Sequence, residues 1–118
     1  VEWWVHARVA AENGIAAEAL DAIRDGQSPR FADPQEALVY DFARALQLDG
    51  RVPDATYAAA RDAFGVKGVV ELTALIGYYT MVSMTLNAHG IPLPEGEAEP
   101  LSAPAEGLFV LPPRDTAR

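Results

Sequence analysis

No cysteine occurs among the 118 residues. Thiol peroxidase chemistry, disulfide exchange and thiolate metal ligation by the chain's own side chains are therefore excluded. Histidine is nearly as scarce: His6 and His89 stand far apart, with no H-x-x-x-H or H-E-x-x-H spacing. A metal centre has no warrant in such a pattern. Basic residues are few, with Lys and Arg totalling 9 against 17 Asp and Glu, for a formal charge of -8. Lacking basic runs, the chain has nothing to compensate phosphates, which argues against nucleic acid as a partner. The glycines form neither a G-x-G-x-x-G nor a Walker pattern, and no G-x-S-x-G elbow is present. Nucleotide binding and elbow-type hydrolysis lose their usual signatures. The opening Val1-Glu2-Trp3-Trp4-Val5-His6 has no basic segment leading into an apolar run, so it does not read as a signal peptide. It begins without Met and directly in a helical pattern, and an upstream segment is expected. These absences together suit a cytoplasmic protein.

What is present suits one small domain. Hydrophobic residues make up 50% of the chain and the mean hydropathy is +0.02, enough for a core with little to spare. Helical spacing recurs throughout. Residues 2–13 place Trp3, Ala7, Ala10 and Ala11 on one stripe, ending at Asn13-Gly14. Residues 16–25 place Ala16, Ala19, Leu20 and Ile23 together, with Gly26 as the stop. Asp33-Pro34-Gln35-Glu36 is the clearest helix start, with Asp33 to cap, Pro34 needing no amide donor and Glu36 placed for the reciprocal bond. That helix should face Leu38, Phe42, Ala45 and Leu46 inward and end at Asp49-Gly50. Asp54 caps the next, with Tyr57, Ala60, Arg61 and Phe64 on one side and Gly65 closing it; Lys67-Gly68 then joins it to a long apolar segment.

Residues 69–86 carry one charge, Glu71, and approach the length of a membrane span. Glu71, Thr73, Thr80, Ser83 and Thr85 make a poor lipid-facing set, and no basic flank orients a span. The segment reads as a buried central helix, apolar on nearly every side and covered by neighbours, some of them from another subunit. Beyond Gly90, Pro92, Pro94, Pro100, Pro104, Pro112 and Pro113 punctuate an acidic stretch, an arm in which Leu108-Phe109-Val110-Leu111 forms an apolar patch. The expectation is all-α: five helices over residues 1–96 and a Pro-rich arm over 97–118, without repeats.

Glu2 and His6 are four apart, on one helical face. A carboxylate beside an imidazole orients the ring and assists proton transfer near neutral pH; the same spacing also reads as an ordinary helix pair. Trp3 and Trp4 read as pocket walls or as packing at a domain edge. Glu71 reads as an acid meeting exposed amides at a helix start, or as an acid aimed into a pocket. Asn87 and His89 read as caps for the helix's last carbonyls.

Glu2-Trp3-Trp4-Val5-His6-Ala7, Ala10-Ala11-Glu12-Asn13-Gly14 and the turn Ile23-Arg24-Asp25-Gly26 resemble the carboxymuconolactone decarboxylase family. Glu36-Ala37-Leu38-Val39-Tyr40-Asp41-Phe42 continues the likeness, as do Val70-Glu71-Leu72-Thr73-Ala74-Leu75-Ile76-Gly77-Tyr78-Tyr79, Leu86-Asn87-Ala88 and Pro92-Leu93-Pro94. The likeness spans residues 1–96. It implies an AhpD-like helical fold, a trimer-based homo-oligomer (a trimer or hexamer) and sites near subunit contacts. In the thiol enzymes of that family a C-x-x-C pair precedes a histidine. Here His6 takes the place of that histidine, Glu2 stands where the second cysteine would be, and the first falls before Val1. What the resemblance implies is a cofactor-free acid-base enzyme acting on a small oxygenated organic acid or lactone. His6 would be the proton-transfer group and Glu2 its partner, with Trp3, Glu71, Tyr78, Tyr79 and Asn87 around the substrate. Arg8, Arg30 and Lys67 are the cations open to an acidic substrate. Two rivals stand beside this reading: a lactone isomerase or hydrolase using the same pair, and a catalytically silent oligomer that binds a small ligand.

Overall fold

The computed structural model describes residues 1–101 and 112–117. Among them every regular element is a helix: α1 (Glu2–Glu12), α2 (Ala17–Arg24), α3 (Pro34–Asp49) and α4 (Asp54–Ala88). The all-α expectation is met. α1 packs against α2 and α3 against α4, giving a short helical hairpin followed by a longer one.

Local chemistry sets the ends of these helices. At the α1 terminus the Asn13 side-chain amide donates to the Val9 carbonyl at 2.8 Å and the Ile15 amide closes on Ala10 at 3.0 Å. Gly14 makes that turn possible at φ 90, a conformation glycine adopts without a Cβ clash. Asp33 caps α3 by accepting the Gln35 amide at 2.8 Å, with Pro34 in the first turn. The reciprocal bond expected from Glu36 is not among the hydrogen bonds of the described residues, so the capping box is half made. α4 starts with Pro53 in the cap position and no side-chain cap. Asp54 therefore sits inside the first turn, where its charge meets the positive helix end instead of capping it as expected.

The expected break at Gly65 is present: its φ of 73 and ψ of 170 kink α4. The chain then re-enters the helix at once, so Lys67-Gly68 is helical and not a connector. A Cβ added at Gly68 would stand 2.7 Å from the Phe64 Cβ, and the glycine is what lets Phe64 fold beneath the kink. Phe42, Ala60 and Val69 form the buried centre, with Leu38, Leu46, Phe64, Leu72 and Ile76 packed against it. The inward face read for α3 is thus the observed one.

The expectation of a fully covered central helix is not met within the chain. α4 packs α3 along one side and leaves Val66, Val70, Leu75, Tyr78, Met81 and Met84 exposed. Only a handful of neighbours can reach a long helix from one hairpin partner, and the rest of its circumference stays in water.

The segment after Gly90 has no helix among its described residues, as its prolines require. It is nonetheless anchored twice. The Trp4 indole donates to Glu97 at 2.8 Å, which holds residues near 97 on α1. Further along, the Tyr40 hydroxyl donates to the Pro112 carbonyl at 2.7 Å, Arg114 to Asp41 at 2.7 Å, and the Asp115 amide to the Pro29 carbonyl at 2.7 Å. Arg30 completes this clamp on Asp115 at 2.6 Å. The hydrogen bond from Arg30, assisted by the Ala117 amide, holds the Asp115 carboxyl below its ordinary value; burial pushes the Tyr40 phenol up. Pro29, in the connector between the two hairpins, is fully buried. The patch Leu108-Phe109-Val110-Leu111 lies outside the described residues.

Candidate functional site

Glu2 and His6 occupy the first two turns of α1 and meet as their spacing requires. The His6 Nδ1 lies 3.0 Å from the Glu2 carbonyl oxygen and 3.4 Å from its carboxylate Oε2. Both neighbours are acceptors, so in the neutral ring Nδ1 carries the proton and donates. The assignment rests on that hydrogen-bond logic. It leaves Nε2 with its lone pair directed away from Glu2, the arrangement a general base needs. The His6 side chain is 44% exposed and that of Glu2 26%, so solvent reaches the pair.

The other side of the site comes from α4. The His6 and Tyr79 rings meet edge to face, with centroids 4.7 Å apart and planes at 79°. Tyr78 meets Tyr79 in the same manner at 5.3 Å. Contacts of this kind between aromatic rings contribute roughly 0.5–1.5 kcal/mol beyond area burial, and this one sets the His6 ring against α4. Tyr79 also lines an open groove of about 430 Å³ between α3 and α4, with Val39, Leu72, Leu75, Ile76 and Ser83. His6 itself lines neither this groove nor its neighbour and touches this one only through the Tyr79 ring; the groove carries the hydroxyls of Tyr79, Thr80 and Ser83. On the other flank of Thr80 lies a second open groove of about 490 Å³, lined by Leu46, Thr73, Gly77, Met81 and Met84 among others. A hydrogen bond from Gln47 to Thr80 stands between the two.

The remaining residues singled out in the sequence scatter. Tyr78 is exposed and touches the site only through Tyr79. Trp3 is half-buried on α1 and lines neither groove. Glu71 is two-thirds exposed at 66% and pairs with Lys67 at 3.7 Å. It and Asn87 each lie eight residues from Tyr79, about 12 Å along the helix in opposite directions, and neither reaches a groove. Glu71 and Asn87 are thus not brought together with His6 and Tyr79. The last carbonyls of α4 are met by backbone amides, His89 to Thr85 at 3.1 Å and Gly90 to Asn87 at 3.2 Å, and not by the Asn87 and His89 side chains.

The three candidate cations are all engaged. Arg8 lies over the Trp4 ring at 4.3 Å and reaches Glu97 at 3.5 Å; Arg30 is held by Asp115 and Lys67 by Glu71. The Trp4, Arg8 and Glu97 cluster was not foreseen as a unit. The spacing of Trp4 and Arg8, four apart on one helix, is the signal that announces half of it. Ser83 was likewise overlooked, although it follows Tyr79 by one helical turn.

Among the described residues no group of three or more His, Asp or Glu side chains gathers as a metal site. No family model matches the chain, and neither a curated protein nor a solved structure matches it.

Proposed function

We propose that the chain is a cofactor-free acid-base enzyme of the carboxymuconolactone decarboxylase type, with His6 as the proton-transfer group and Glu2 as its positioning partner. The observation that supports this reading is the directed imidazole: Nδ1 faces the two acceptors of Glu2, and the ring meets Tyr79, a residue that lines the apolar groove. Groove and hydroxyls suit a small, mostly apolar molecule carrying oxygen functions.

Since Arg8, Arg30 and Lys67 each already face a carboxylate, a lactone is the better fit of the two substrate classes and a free organic acid the poorer. With a neutral lactone, Nε2 removes a proton from the carbon beside the carbonyl, the electron pair moves into an enolate, and the imidazolium returns the proton at another carbon. With a lactone carboxylate, the carbon-carbon bond to the carboxylate breaks and carbon dioxide leaves. The electron pair remains as an enolate, which takes a proton from Nε2 of His6 in its imidazolium form, and the neutral ring left behind regains a proton from water. Neither course requires an oxidant or a reductant.

A second reading, a silent small-ligand-binding protein, draws on the openness of the groove and the exposure of His6, since water is not excluded from the ring. A screen of lactones and lactone carboxylates by mass detection in deuterated water separates the readings. The enzyme reading expects carbon dioxide loss or solvent-deuterium uptake, reduced ~10²–10⁴-fold in His6→Ala with helical content retained. Turnover unaltered by His6→Ala removes His6 from the chemistry. Lactones that perturb the Tyr79 resonances yet are never converted establish the binding reading.

A further inference from the structure

We infer that Pro29, Arg30, Tyr40 and Asp41 form a recognition site for a linear peptide carrying an Arg-Asp pair, and that residues 112–117 occupy it in cis as a displaceable ligand. None of these four residues lines either groove, and the inference does not depend on the proposed chemistry.

The segment meets its cradle as a bound peptide does, through main chain and side chains in turn. Residues 112–117 form neither helix nor strand. Two contacts use only the segment's backbone and fix its path. The Pro112 carbonyl accepts from the Tyr40 hydroxyl at 2.7 Å, and the Asp115 amide donates to the Pro29 carbonyl at 2.7 Å. Two more contacts read charge. Arg114 donates to Asp41 at 2.7 Å, and Asp115 accepts from Arg30 at 2.6 Å. Neighbouring side chains thus reach different elements, Asp41 in α3 and Arg30 in the connector before it.

This arrangement specifies the order of the pair. The cradle offers its carboxylate to residue 114 and its guanidinium to residue 115. An Asp-Arg order would set like charges against each other at both positions, which is how wrong partners are suppressed. The Ala117 amide donates to the Asp115 carboxylate at 2.8 Å and so holds that side chain toward Arg30. Pro112 and Pro113, just ahead of the pair, have a fixed φ, which lowers the ordering cost of binding.

The contacts that hold the segment are polar and wet. Arg30 is 60% exposed in its pair with Asp115, and Arg114 and Asp41 are each 33% exposed. Such pairs contribute little apiece, because water competes for both charges. None of residues 112–117 is buried, so the segment adds nothing to the core around Phe42, Ala60 and Val69. The cradle has support of its own. Tyr40 and Asp41 precede the buried Phe42 on α3, and the Tyr40 ring meets that of Phe31 at 5.5 Å. Being covalently joined to the helices, the segment competes at a high effective concentration, and a partner peptide must outcompete it.

The full chain tests this. Exchanging the pair, Arg114→Asp with Asp115→Arg, repels the segment from Asp41 and Arg30 and leaves every cradle residue in place. A capped synthetic peptide of residues 112–117 is then titrated into isotope-labelled protein while the amide resonances of Arg30 and Asp41 are followed. The peptide should shift them in the exchanged variant, and should need a roughly tenfold higher concentration in the wild type, as expected of a site occupied in cis about nine-tenths of the time. The same peptide with its Arg and Asp interchanged should shift neither protein. The inference is overturned if the peptide leaves the variant unmoved, if it saturates both proteins alike, or if the interchanged peptide binds equally well. A variant that loses its helical circular dichroism overturns it too, because the segment would then belong to the fold.

Discussion

The two sides of α4 are built from similar residues and lead different lives. Val69, Leu72 and Ile76 pack against α3 around Phe42, while Val66, Val70 and Met84 stand in water on the same helix. Both sets are apolar and both recur at helical spacing. What separates them is the number of helices available to cover them. One hairpin partner covers one stripe, and the apolar character of the remainder points outward. An all-round apolar helix in a sequence identifies a surface that seeks cover, without naming which chain supplies it.

The sharpest way to test that contrast is to truncate one residue from each side. Phe42→Ala should destabilise the fold by about 3–5 kcal/mol, as measured by urea unfolding, and to the same extent at every protein concentration. Met84→Ala should stay within ~0.5 kcal/mol at high dilution, with a larger effect only where copies associate, because association stabilises by mass action. Equal, concentration-independent losses would mean that the two faces do not differ.

A smaller effect probes how α4 reaches both environments. The kink at Gly65 directs the long apolar section along α3, and its φ of 73 is unfavourable for any residue with a Cβ. Gly65→Ala should cost about 1–3 kcal/mol, against the gain that the same exchange brings in a regular helix. A stabilised Gly65→Ala protein would show that the kink is not required.

The smallest effect concerns the clamp formed by residues 112–117. Asp115 is held below its ordinary value by Arg30, so its contribution is fully present above the unfolded carboxyl value and is lost as pH falls through the lower folded one. Tyr40 is raised by burial; its neutral, donating form is favoured, and that contribution persists until pH rises past the unfolded phenol value. Between these limits the clamp should be insensitive to pH. Resonances of Pro29 neighbours followed from neutral to acid pH should move with the Asp115 titration in the wild type and remain still in Asp115→Asn.

Much of the local architecture was legible in the sequence. Asp33-Pro34 at a helix start, Gly50 at a helix end and the break at Gly65 all follow from which residues tolerate which backbone angles. The Glu2–His6 contact was legible for the same reason, since a four-residue spacing on a helix guarantees proximity. Tyr79 was singled out in the sequence and lines a groove, but its contact with the His6 ring was not legible there. Glu71 and Asn87 were placed around the substrate by the resemblance; each stands about 12 Å along the helix from Tyr79, a separation that follows from position along the axis and not from residue type.

The sequence by itself determined the helices, their stops, the absence of thiol chemistry and the pairing of Glu2 with His6, because each depends on neighbours within a turn or two. Only the tertiary structure decided that His6 meets Tyr79, that Arg8 and Arg30 are spent on Glu97 and Asp115, and that one face of α4 is left bare. These contacts join residues far apart in the chain. Their formation depends on how whole helices cross and how much area each partner offers, which no short stretch of sequence encodes.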